Sequence, residues 1–373
     1  MIGGSEKGPS VVVAVIDSGM DYNHPDLKDA MWTNPEEIAG NGIDDDENGI
    51  VDDMHGANFV RSSQCCNPPP NDPLDTDINS MGFGHGTVVA GIVAASANNG
   101  EGIAGVAGNS KGKVKIMAIR YLGPNGGEFT WLLKSVDYAF AKKAQISINS
   151  YGSRSRGNRQ WNKVFESLLR NQPEHLFITA AGNSNQTVTL EDFPGGMSLS
   201  NHVNVASSTD LDERDNLSNY GKPYVHVFAP GKKIASTFPL RNYRFESGTS
   251  FAAPQVAGLA ALLMSMREGL SPEEVKILIE KNVQRKPQYE DLVTSGGLID
   301  VNATISSLIS EKPLSCLPGW LHTKSTSQKI PSSFCTPIKV HNLQAKLNVL
   351  TAVVVLHQVR DGVLPHRDAR KVG

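Results

Sequence analysis

Short apolar runs alternate along this chain with segments of helical periodicity, and no other feature restricts the fold as strongly. The apolar runs occupy residues 11–16, 114–119, 176–181, 203–207 and 225–229. Their apolarity is continuous, which is typical of strands that are covered on both faces. Residues 129–144 and 161–172 instead repeat apolar side chains every three to four positions, as amphipathic helices do. The alternation predicts an α/β fold with a doubly wound parallel sheet, in three αβα layers.

The alternation ends near residue 310, and this sets the domain organisation that we predict. We predict that residues 1–310 form one domain that is long enough to hold an active site, because single α/β domains reach this length. Residues 311–373 are predicted to be a tail of unknown role, either disordered or not part of the native coding sequence. The four cysteines, too few for a disulfide framework and without the spacing of a zinc site, are Cys65, Cys66, Cys316 and Cys335. A bridge between the last two stays open.

Charge and hydropathy exclude several classes of partner. The formal net charge is -3 and both signs are mixed along the chain, so no basic face for nucleic acid or an anionic membrane is indicated. No apolar run reaches the roughly 18 residues of a membrane span, which predicts that there is none. The first ten residues also lack the basic and apolar regions of a secretory signal.

Three residues able to carry chemistry lie at predicted strand or helix ends, where parallel α/β folds gather their ligands. Asp17 ends the first strand, His85 lies between two glycines before a buried helix, and Ser250 opens a second apolar helix. Each has an ordinary structural explanation when taken singly: a turn cap, a core histidine and a packing residue. Together they supply a nucleophile, the base that activates it and the carboxylate that orients the base.

Four sequence blocks carry a family resemblance. "VAVIDSGMDYNHPDL", "GHGTVVAG", "TAAGN" and "GTSFAAPQVAG" resemble the signature blocks of the subtilisin-like serine proteases, in the order Asp, His, Ser, across roughly residues 8–310. The resemblance implies a serine endopeptidase that works through an acyl-enzyme. It makes Ser250 the nucleophile, His85 the general base and Asp17 the orienting carboxylate. It also implies that Asn183, together with the backbone N–H of Ser250, binds the oxyanion.

The resemblance also points to residues that would bind the substrate. Segment 149–152 is similar to the family's substrate-lining segment, whose backbone pairs with an extended peptide as an added strand. With 180–182 and 192–196 it is expected to enclose the pocket for the side chain before the scissile bond. The expected contact residues are Ser150, Tyr151, Gly152, Ala181, Gly182 and Asp192. Unless Asp192 faces solvent, its carboxylate near the pocket floor favours Lys or Arg.

An acidic segment, 41–53, has the oxygen-rich composition that Ca²⁺ prefers. Acids at this density repel one another unless they are solvated or neutralised, so the segment is either a calcium loop or a solvated acidic loop. The expected ligands are Asp44, Asp46, Asn48, the Ile50 carbonyl and Asp53. A second structural Ca²⁺ is expected at Asp26, Asn99 and the Ile103 carbonyl, and the family resemblance supports that site more than the spacing does.

Two other functions stay open at this point. An esterase of the α/β-hydrolase type uses the same three residue types, but in the chain order Ser, Asp, His. A catalytically inactive or truncated subtilisin-like protein that binds rather than cleaves is the main alternative. The resemblance further implies protein or peptide substrates, a monomer and an extracellular or secretory location. The chain as given leaves no room before its first strand for a signal or an inhibitory prodomain.

Overall fold

The computed structural model describes residues 10–61, 69–76, 78, 82–108, 110 and 112–310. Its strands are β1 (Val11–Asp17), β2 (Gly56–Asn58), β3 (Val114–Arg120), β4 (Ile146–Asn149), β5 (Ser153–Arg154), β6 (Leu176–Ala180), β7 (Asp192–Phe193), β8 (His202–Ser208), β9 (Val227–Pro230), β10 (Ile234–Phe238), β11 (Asn242–Glu246), β12 (Gln284–Arg285) and β13 (Gly297–Leu298). Its helices are α1 (His85–Ala94), α2 (Phe129–Ala141), α3 (Asn158–Arg170), α4 (Thr249–Met266), α5 (Pro272–Lys281) and α6 (Val301–Ser310). The predicted tail and all four cysteines lie outside the described residues.

Nine of the strands form one sheet, in the order β12-β13-β9-β8-β6-β4-β1-β3-β2. All neighbours in this sheet are parallel except β12 and β13, which confirms the predicted architecture. Because β1 pairs with β3 on one side and with β4 on the other, the chain reverses its direction across the sheet at β1. Such a switch point leaves a crevice beyond the carboxyl ends of the strands, and β1 ends there at Asp17.

Side chains of the central strands alternate between two cores. Val13 and Val15 of β1 belong to a core that includes residues of α1, α4, α5 and α6. Ala14 and Ile16 belong to a second core, which includes residues of α2 and α3. The strand is therefore buried on both faces, which accounts for its continuous apolar run VVVAVI. Helices on both faces of the sheet confirm the predicted three layers.

The longest helix, α4, is the central core helix and spans 18 residues. By length and composition it is the one helix in the described part of the chain that is apolar enough to cross a membrane, but 83% of it is buried inside the fold. Alanines on several of its faces, among them Ala252, Ala257 and Ala260, are fully buried. These small residues let the helix pack closely against the sheet and its helical neighbours.

Element boundaries differ from the prediction at several places. The helix predicted at 161–172 begins three residues earlier and spans Asn158–Arg170. The helix predicted at 129–144 ends at Ala141, and Lys143 then takes a left-handed conformation with φ of 56°. The antiparallel pairs β10–β11 and β5–β7 were not predicted. Both are short, and β11 is largely exposed, so neither leaves an apolar pattern in the sequence.

Candidate active site

The end of β1 and the start of α1 bring Asp17 and His85 together at the crevice. Nδ1 of His85 lies 2.8 Å from Oδ1 of Asp17 and 3.0 Å from Oδ2. The backbone N–H of Ser18 donates to the same Oδ1 at 2.7 Å, and Asp17 is only 1% exposed. The carboxylate therefore favours the tautomer whose Nδ1 carries the proton. Nε2 of His85 makes no hydrogen bond to the described residues, so its lone pair is available.

The charges around His85 favour its protonated form. Burial opposes an imidazolium, but the charge and hydrogen bond of Asp17, with smaller effects from Glu246 and Asp75, outweigh burial and raise the pKa of His85. The imidazole also keeps 24% of its surface exposed. A histidine in these surroundings can hold a proton that it takes from a neighbouring hydroxyl.

Ser250 is the second residue of α4, and the residue that follows it packs against the imidazole. The ring of the next residue, Phe251, is 5.3 Å from the ring of His85, measured between centroids. The hydroxyl of Ser250 donates to the carbonyl of Ser150 at 3.2 Å, and the hydroxyl of Ser150 donates to the carbonyl of Ser250 at 2.9 Å. No hydrogen bond joins Ser250 to His85 in the described part of the chain. Catalytic hydrogen bonds are often unmade in proteins without substrate.

Asn183 lies next to the first turn of α4, as its predicted role requires. Its Oδ1 accepts hydrogen bonds from the backbone N–H of Thr249 at 2.9 Å and from the Thr249 hydroxyl at 3.1 Å. With Oδ1 held in this way, Nδ2 is left without a partner among the described residues. The backbone N–H of Ser250, in the first turn of a helix, has no intrahelical acceptor either. Two donors are thus available at the first turn of α4, in the lining of one pocket.

One pocket of about 170 Å³ opens beside Ser250. Its lining includes Ser250, Asn183 and all six residues predicted to contact substrate, which are Ser150, Tyr151, Gly152, Ala181, Gly182 and Asp192. Parallel pairing of β4 with β6 explains how the two segments meet, because 150–152 follows one strand and 181–183 follows the other. All six residues therefore line this pocket, and their contact with a substrate stays a prediction.

Comparison with known proteins identifies the family. The model of the subtilase family, Peptidase S8, matches residues 8–299. The chain belongs to the subtilase family. Subtilisin-like protease 1 of Plasmodium vivax is 33% identical over 338 residues, which cover 85% of this chain and 51% of that protein. Thermitase of Thermoactinomyces vulgaris is 32% identical over 288 residues, which cover 75% of this chain and 83% of that protein.

The solved structures extend the comparison to the fold of this subtilase. A protease of Pseudoalteromonas arctica PAMC 21717 superposes with a TM-score of 0.61 and 26% identity, covering 81% of this chain and 91% of that one. The chain spans about half the length of the Plasmodium relatives it matches. A relative from Bacillus subtilis strain 168 is named a major intracellular serine protease. It is 32% identical over 265 residues, which cover 70% of this chain and 70% of that protein. Family membership therefore leaves the compartment open.

Asp192 of this subtilase is not available to a substrate cation, contrary to the expectation from the sequence. Nε of Arg154 donates to Oδ1 of Asp192 at 2.7 Å and Nη2 donates to Oδ2 at 2.6 Å. The backbone N–H of Thr189 donates to Oδ2 as well, at 2.7 Å. Asp192 is 7% exposed, so it does not face solvent either. A preference for Lys or Arg does not follow from this arrangement, because the carboxylate is already paired.

Three carboxylates converge in and near the acidic segment, and they overlap only partly with the predicted calcium ligands. Oxygens of Glu37, Asp46 and Asp53 lie within 4.8 Å of one another. Asn48 joins this group, because its Nδ2 donates to Asp53 at 2.9 Å and its backbone N–H donates to both Asp46 and Asp44, at 3.2 and 3.0 Å. The structure therefore brings Asp46, Asn48 and Asp53 together, with Asp44 bonded to the same Asn48, and adds Glu37, which precedes the segment.

The cluster of Glu37, Asp46 and Asp53 keeps a net negative charge. Nζ of Lys142 contacts Asp46, so three carboxylates and one ammonium leave two negative charges in a small volume. Nδ2 of Asn34 donates to both Asp46 and Asp53, at 2.8 and 2.7 Å. An all-oxygen set with this charge is the chemistry that a hard dication prefers, so the residues fit Ca²⁺.

The second predicted calcium site also has its residues together, but with donors facing the carboxylate. Asp26 is fully buried and accepts hydrogen bonds from Nδ2 of Asn99 at 2.6 Å and from the backbone N–H of Ile103 at 3.0 Å. The hydroxyl of Tyr243 donates to it at 2.9 Å. In this arrangement the N–H of Ile103, rather than its carbonyl, faces Asp26. The residues as they lie do not form a cation site.

Two residues were not identified from the sequence: Arg154, which lines the pocket beside Ser250, and Glu37, which belongs to the carboxylate cluster. Arg154 follows the predicted lining segment by two positions, and the register of β5 with β7 places it opposite Asp192. Glu37 precedes the acidic segment, and its own sequence neighbours, Glu36 and Ile38, give no hint of a ligand. Neither residue belongs to a recognisable motif. The one sequence signal for Glu37 is the high density of acidic residues between positions 36 and 53.

Proposed function

We propose that this subtilase is a serine endopeptidase, in which Ser250 is the nucleophile, His85 the general base and acid, and Asp17 the carboxylate that orients His85. The observation that carries the proposal is the 2.8 Å contact between Nδ1 of His85 and Oδ1 of Asp17. It leaves Nε2 as the basic atom of the imidazole, beside the helix turn that carries Ser250.

The Ser250 side chain must rotate before the first chemical step. The Ser250 hydroxyl turns from the Ser150 carbonyl towards Nε2 of His85, a rotamer change that is fast relative to turnover. As Oγ attacks the carbonyl carbon of the peptide bond, its proton passes to Nε2 and the carbonyl oxygen becomes an oxyanion. Nδ2 of Asn183 and the backbone N–H of Ser250 donate to that oxyanion.

The remaining steps return the enzyme to its starting state. The imidazolium of His85 gives its proton to the leaving amine, the C–N bond breaks and the acyl group stays on Ser250 as an ester. Water then passes a proton to His85 and attacks the ester carbon. When the second oxyanion collapses, Oγ leaves, regains the proton and releases the carboxylic acid. Asp17 stays ionised throughout and stabilises the imidazolium in both halves of the reaction.

A fluorophosphonate probe tests this proposal directly, because it reacts only with an activated serine. We expect one label per molecule, located by mass spectrometry on the peptide that contains Ser250. Labelling should stop when His85 is replaced by alanine. A folded chain that takes no label contradicts the endopeptidase and supports the alternative, an inactive subtilisin-like protein that binds peptides.

The pocket beside Ser250 is expected to show no preference for a cationic side chain, because Arg154 neutralises Asp192. Replacing Arg154 with alanine frees the carboxylate and should raise the ratio of kcat/KM for a Lys peptide over its Leu counterpart. An opposite charge in a partly desolvated pocket is worth roughly 1.4 kcal/mol, so we expect about a 10-fold rise.

The matched control for this measurement is Arg156→Gln. Arg156 is exposed, two residues further along, and makes no ion pair with the described residues. It should leave the Lys to Leu ratio within about twofold of the wild type, since exposed charges contribute little. A wild-type protein that already prefers Lys, or an Arg154→Ala variant with an unchanged ratio, contradicts the proposed pocket chemistry.

We also propose that Ca²⁺ binds at Glu37, Asp46 and Asp53 and has a structural role. When bound, it would supply the positive charge that the three carboxylates lack. The cluster joins the acidic segment to α2, because the hydroxyl of Tyr138 donates to Asp53 at 2.6 Å and Lys142 contacts Asp46. The second proposed Ca²⁺, at Asp26, Asn99 and Ile103, requires the peptide at Ile103 to turn its carbonyl towards the ion.

Removing calcium should lower the melting temperature rather than change the chemistry. With Ca²⁺ at about 100 times its dissociation constant, binding contributes about 2.7 kcal/mol, which corresponds to a shift of roughly 5–10 °C. We expect excess chelator to cause that shift in the wild type and little shift in Asp53→Asn. Glu47→Gln is the control, because the Glu47 side chain is exposed and makes no ion pair with the described residues, and it should keep the full response. Equal melting curves with and without chelator rule out a structural ion at either position.

Protein or peptide substrates follow from family membership. We further propose an extracellular or secretory location, a monomer and regulation by an inhibitory prodomain, all of which rest on the resemblance of the sequence blocks to secreted subtilases. Secretion of the full-length gene product from its own cells, detected by a specific antibody in the medium, is the measurement that decides the location.

A further inference from the structure

We propose that Asp75 is a positioning residue for His85, which fixes the backbone on both sides of the Asp17–His85 pair and adds a second buried negative charge to it. This inference rests on the proposed function of Ser250, His85 and Asp17. Asp75 lies ten residues before His85 in a segment without regular structure, and nothing in the local sequence singles it out.

One oxygen of Asp75 connects the two catalytic segments. Oδ2 accepts a hydrogen bond from the backbone N–H of Gly84 at 2.7 Å, immediately before His85. It also accepts one from the hydroxyl of Ser18 at 2.9 Å, immediately after Asp17. The same Ser18 hydroxyl accepts the backbone N–H of Gly86 at 3.2 Å, immediately after His85. The peptide groups on both sides of His85 are thus tied to the residue that follows Asp17.

The start of α1 and the turn after β1 also pack closely against each other. A Cβ atom on Gly86 would overlap the carbonyl oxygen of Gly19 and lie 3.1 Å from Cβ of Asp17. The start of α1 therefore rests directly on the turn after β1. Any lengthening of the Asp75 bridge would change the separation of the Asp17 carboxylate and the His85 imidazole.

Arg120 forms hydrogen bonds that hold the segment carrying Asp75. This arginine ends β3, in register with Asp17, and is 3% exposed. Its Nη1 donates to the carbonyl of Leu74 at 2.9 Å and to the hydroxyl of Thr76 at 3.2 Å, one residue on each side of Asp75. The carboxylate is therefore presented from a fixed segment rather than from a free loop.

The charge of Asp75 has an effect of its own. Asp75 is 6% exposed, so water screens its charge only weakly. Among the described residues, the charges of Asp17, Glu246 and Asp75 act on His85, and Arg120 is a buried cation that contacts the residues on both sides of Asp75. A negative charge held here favours the imidazolium that forms as Ser250 loses its proton, which is when stabilisation speeds the reaction.

Two substitutions separate the geometric effect from the charge. Asp75→Asn keeps an oxygen that can accept from Ser18 and Gly84 but removes the charge, whereas Asp75→Ala removes both. Ser18→Ala breaks the bridge while the carboxylate remains. Asp215→Asn is the control, because Asp215 is also buried and accepts a hydrogen bond from the backbone N–H of Leu217 at 3.3 Å, but its charged partner is Lys232 rather than a residue beside Asp17 or His85.

Kinetics with a peptide substrate should distinguish these variants. We expect Asp75→Ala to lower kcat by about 10- to 100-fold with KM within about twofold, since a misplacement near 1 Å has effects of that size. Asp75→Asn should recover most of kcat, and its acid limb of kcat/KM should move to lower pH, because removing the charge lowers the pKa of His85. Ser18→Ala should lower kcat several-fold, and Asp215→Asn should change only stability.

A measurement that does not depend on turnover keeps this inference separate from the proposed function. In Ser250→Ala protein, the pKa of His85 is followed by the ¹³C shift of its Cε1 position, assigned by its loss in His85→Gln. A lower pKa in the Asp75→Asn variant supports the inference, and an unchanged pKa overturns it. If the wild type neither hydrolyses peptides nor takes the fluorophosphonate label, the proposed function fails, while this titration still decides whether Asp75 acts on His85.

Kinetic outcomes can overturn the geometric part as well. If Asp75→Ala lowers the melting temperature as much as Asp215→Asn does but leaves kcat unchanged, Asp75 has only a structural role. If Asp75→Ala does not fold, Ser18→Ala still tests the bridge, because an unchanged kcat in that variant contradicts it. An equal loss in Asp75→Asn and Asp75→Ala would assign the effect to charge alone and overturn the positioning role.

Discussion

Ser250→Ala is expected to reduce kcat by about 10⁶-fold, which is the scale of loss when the nucleophile of a serine protease is removed. The reason is chemical rather than structural, because alanine has no hydroxyl that could attack the carbonyl carbon of the peptide. The variant should still fold, because within the described part of the chain the Ser250 hydroxyl donates a single hydrogen bond, at 3.2 Å, to the Ser150 carbonyl. Steady-state hydrolysis of a fluorogenic peptide measures the loss.

The control for the nucleophile is Ser247→Ala. Ser247 is exposed, lies three residues before Ser250 and accepts a hydrogen bond from the backbone N–H of Lys233 at 3.0 Å. It should keep kcat within about twofold of the wild type. Residual hydrolysis by Ser250→Ala at more than a thousandth of the wild-type rate would mean that another group attacks the peptide, and the proposed mechanism would then be wrong.

Acid should destabilise this protein strongly between pH 7 and pH 5, because histidines are sealed in its interior as neutral groups. Burial lowers the pKa of His175 from 6.5 to about 4 and that of His202 from 6.5 to about 3. Burial also lowers the pKa of His226, whose ring lies 5.6 Å from that of His202. The unfolded chain therefore binds more protons than the folded chain as the pH falls below 6.5.

The sign and size of the effect follow from linkage. For a base whose pKa is lower in the folded state, stability is fully present above the unfolded pKa of 6.5 and decreases as the pH falls towards the folded value. His175 and His202 each contribute about 2 kcal/mol of loss between pH 7 and pH 5, or about 4 kcal/mol together. That is a large part of the total stability of an ordinary domain.

Urea unfolding at the two pH values tests this expectation, with the Ser250→Ala variant used to prevent self-cleavage. His202→Gln removes one titrating group, so it should reduce the pH dependence by about 2 kcal/mol even though it lowers stability at pH 7. Val136→Ala is the control, because it lowers stability by opening a cavity in the core but removes no titrating group, and it should leave the pH dependence unchanged. Equal unfolding free energies at pH 7 and pH 5 in the wild type would show that the interior histidines do not titrate on unfolding.

The parts of this protein that the sequence predicts well are those that depend on local pattern. β1 is covered on both faces, so its apolar run is continuous and its end at Asp17 can be read directly. The blocks around His85, Asn183 and Ser250 are short and rich in small residues. Each block is contiguous in the sequence, so its residues can be recognised without knowing the fold, although the blocks identify a site only together and in their order.

The parts that the sequence does not predict are those that depend on a partner far along the chain. Asp192 is read correctly as part of the pocket, but its pairing with Arg154 needs the register of β5 with β7, strands of two residues each. Glu37 joins Asp46 and Asp53 only because the acidic segment folds back on itself. A carboxylate that is paired and one that is free have the same sequence signature.

The position of β1 in the sheet has a consequence for how the protein is made. Both of its neighbours, β3 and β4, follow it in the chain, and β3 is completed only at Arg120, about 100 residues after Asp17. At roughly 5–20 residues per second, a ribosome takes about 5–20 s to supply the first neighbour. During that interval the emerging VVVAVID segment has unpaired edges and two uncovered faces. Nascent chains of this protein should therefore be held by chaperones until the middle of the chain has left the ribosome.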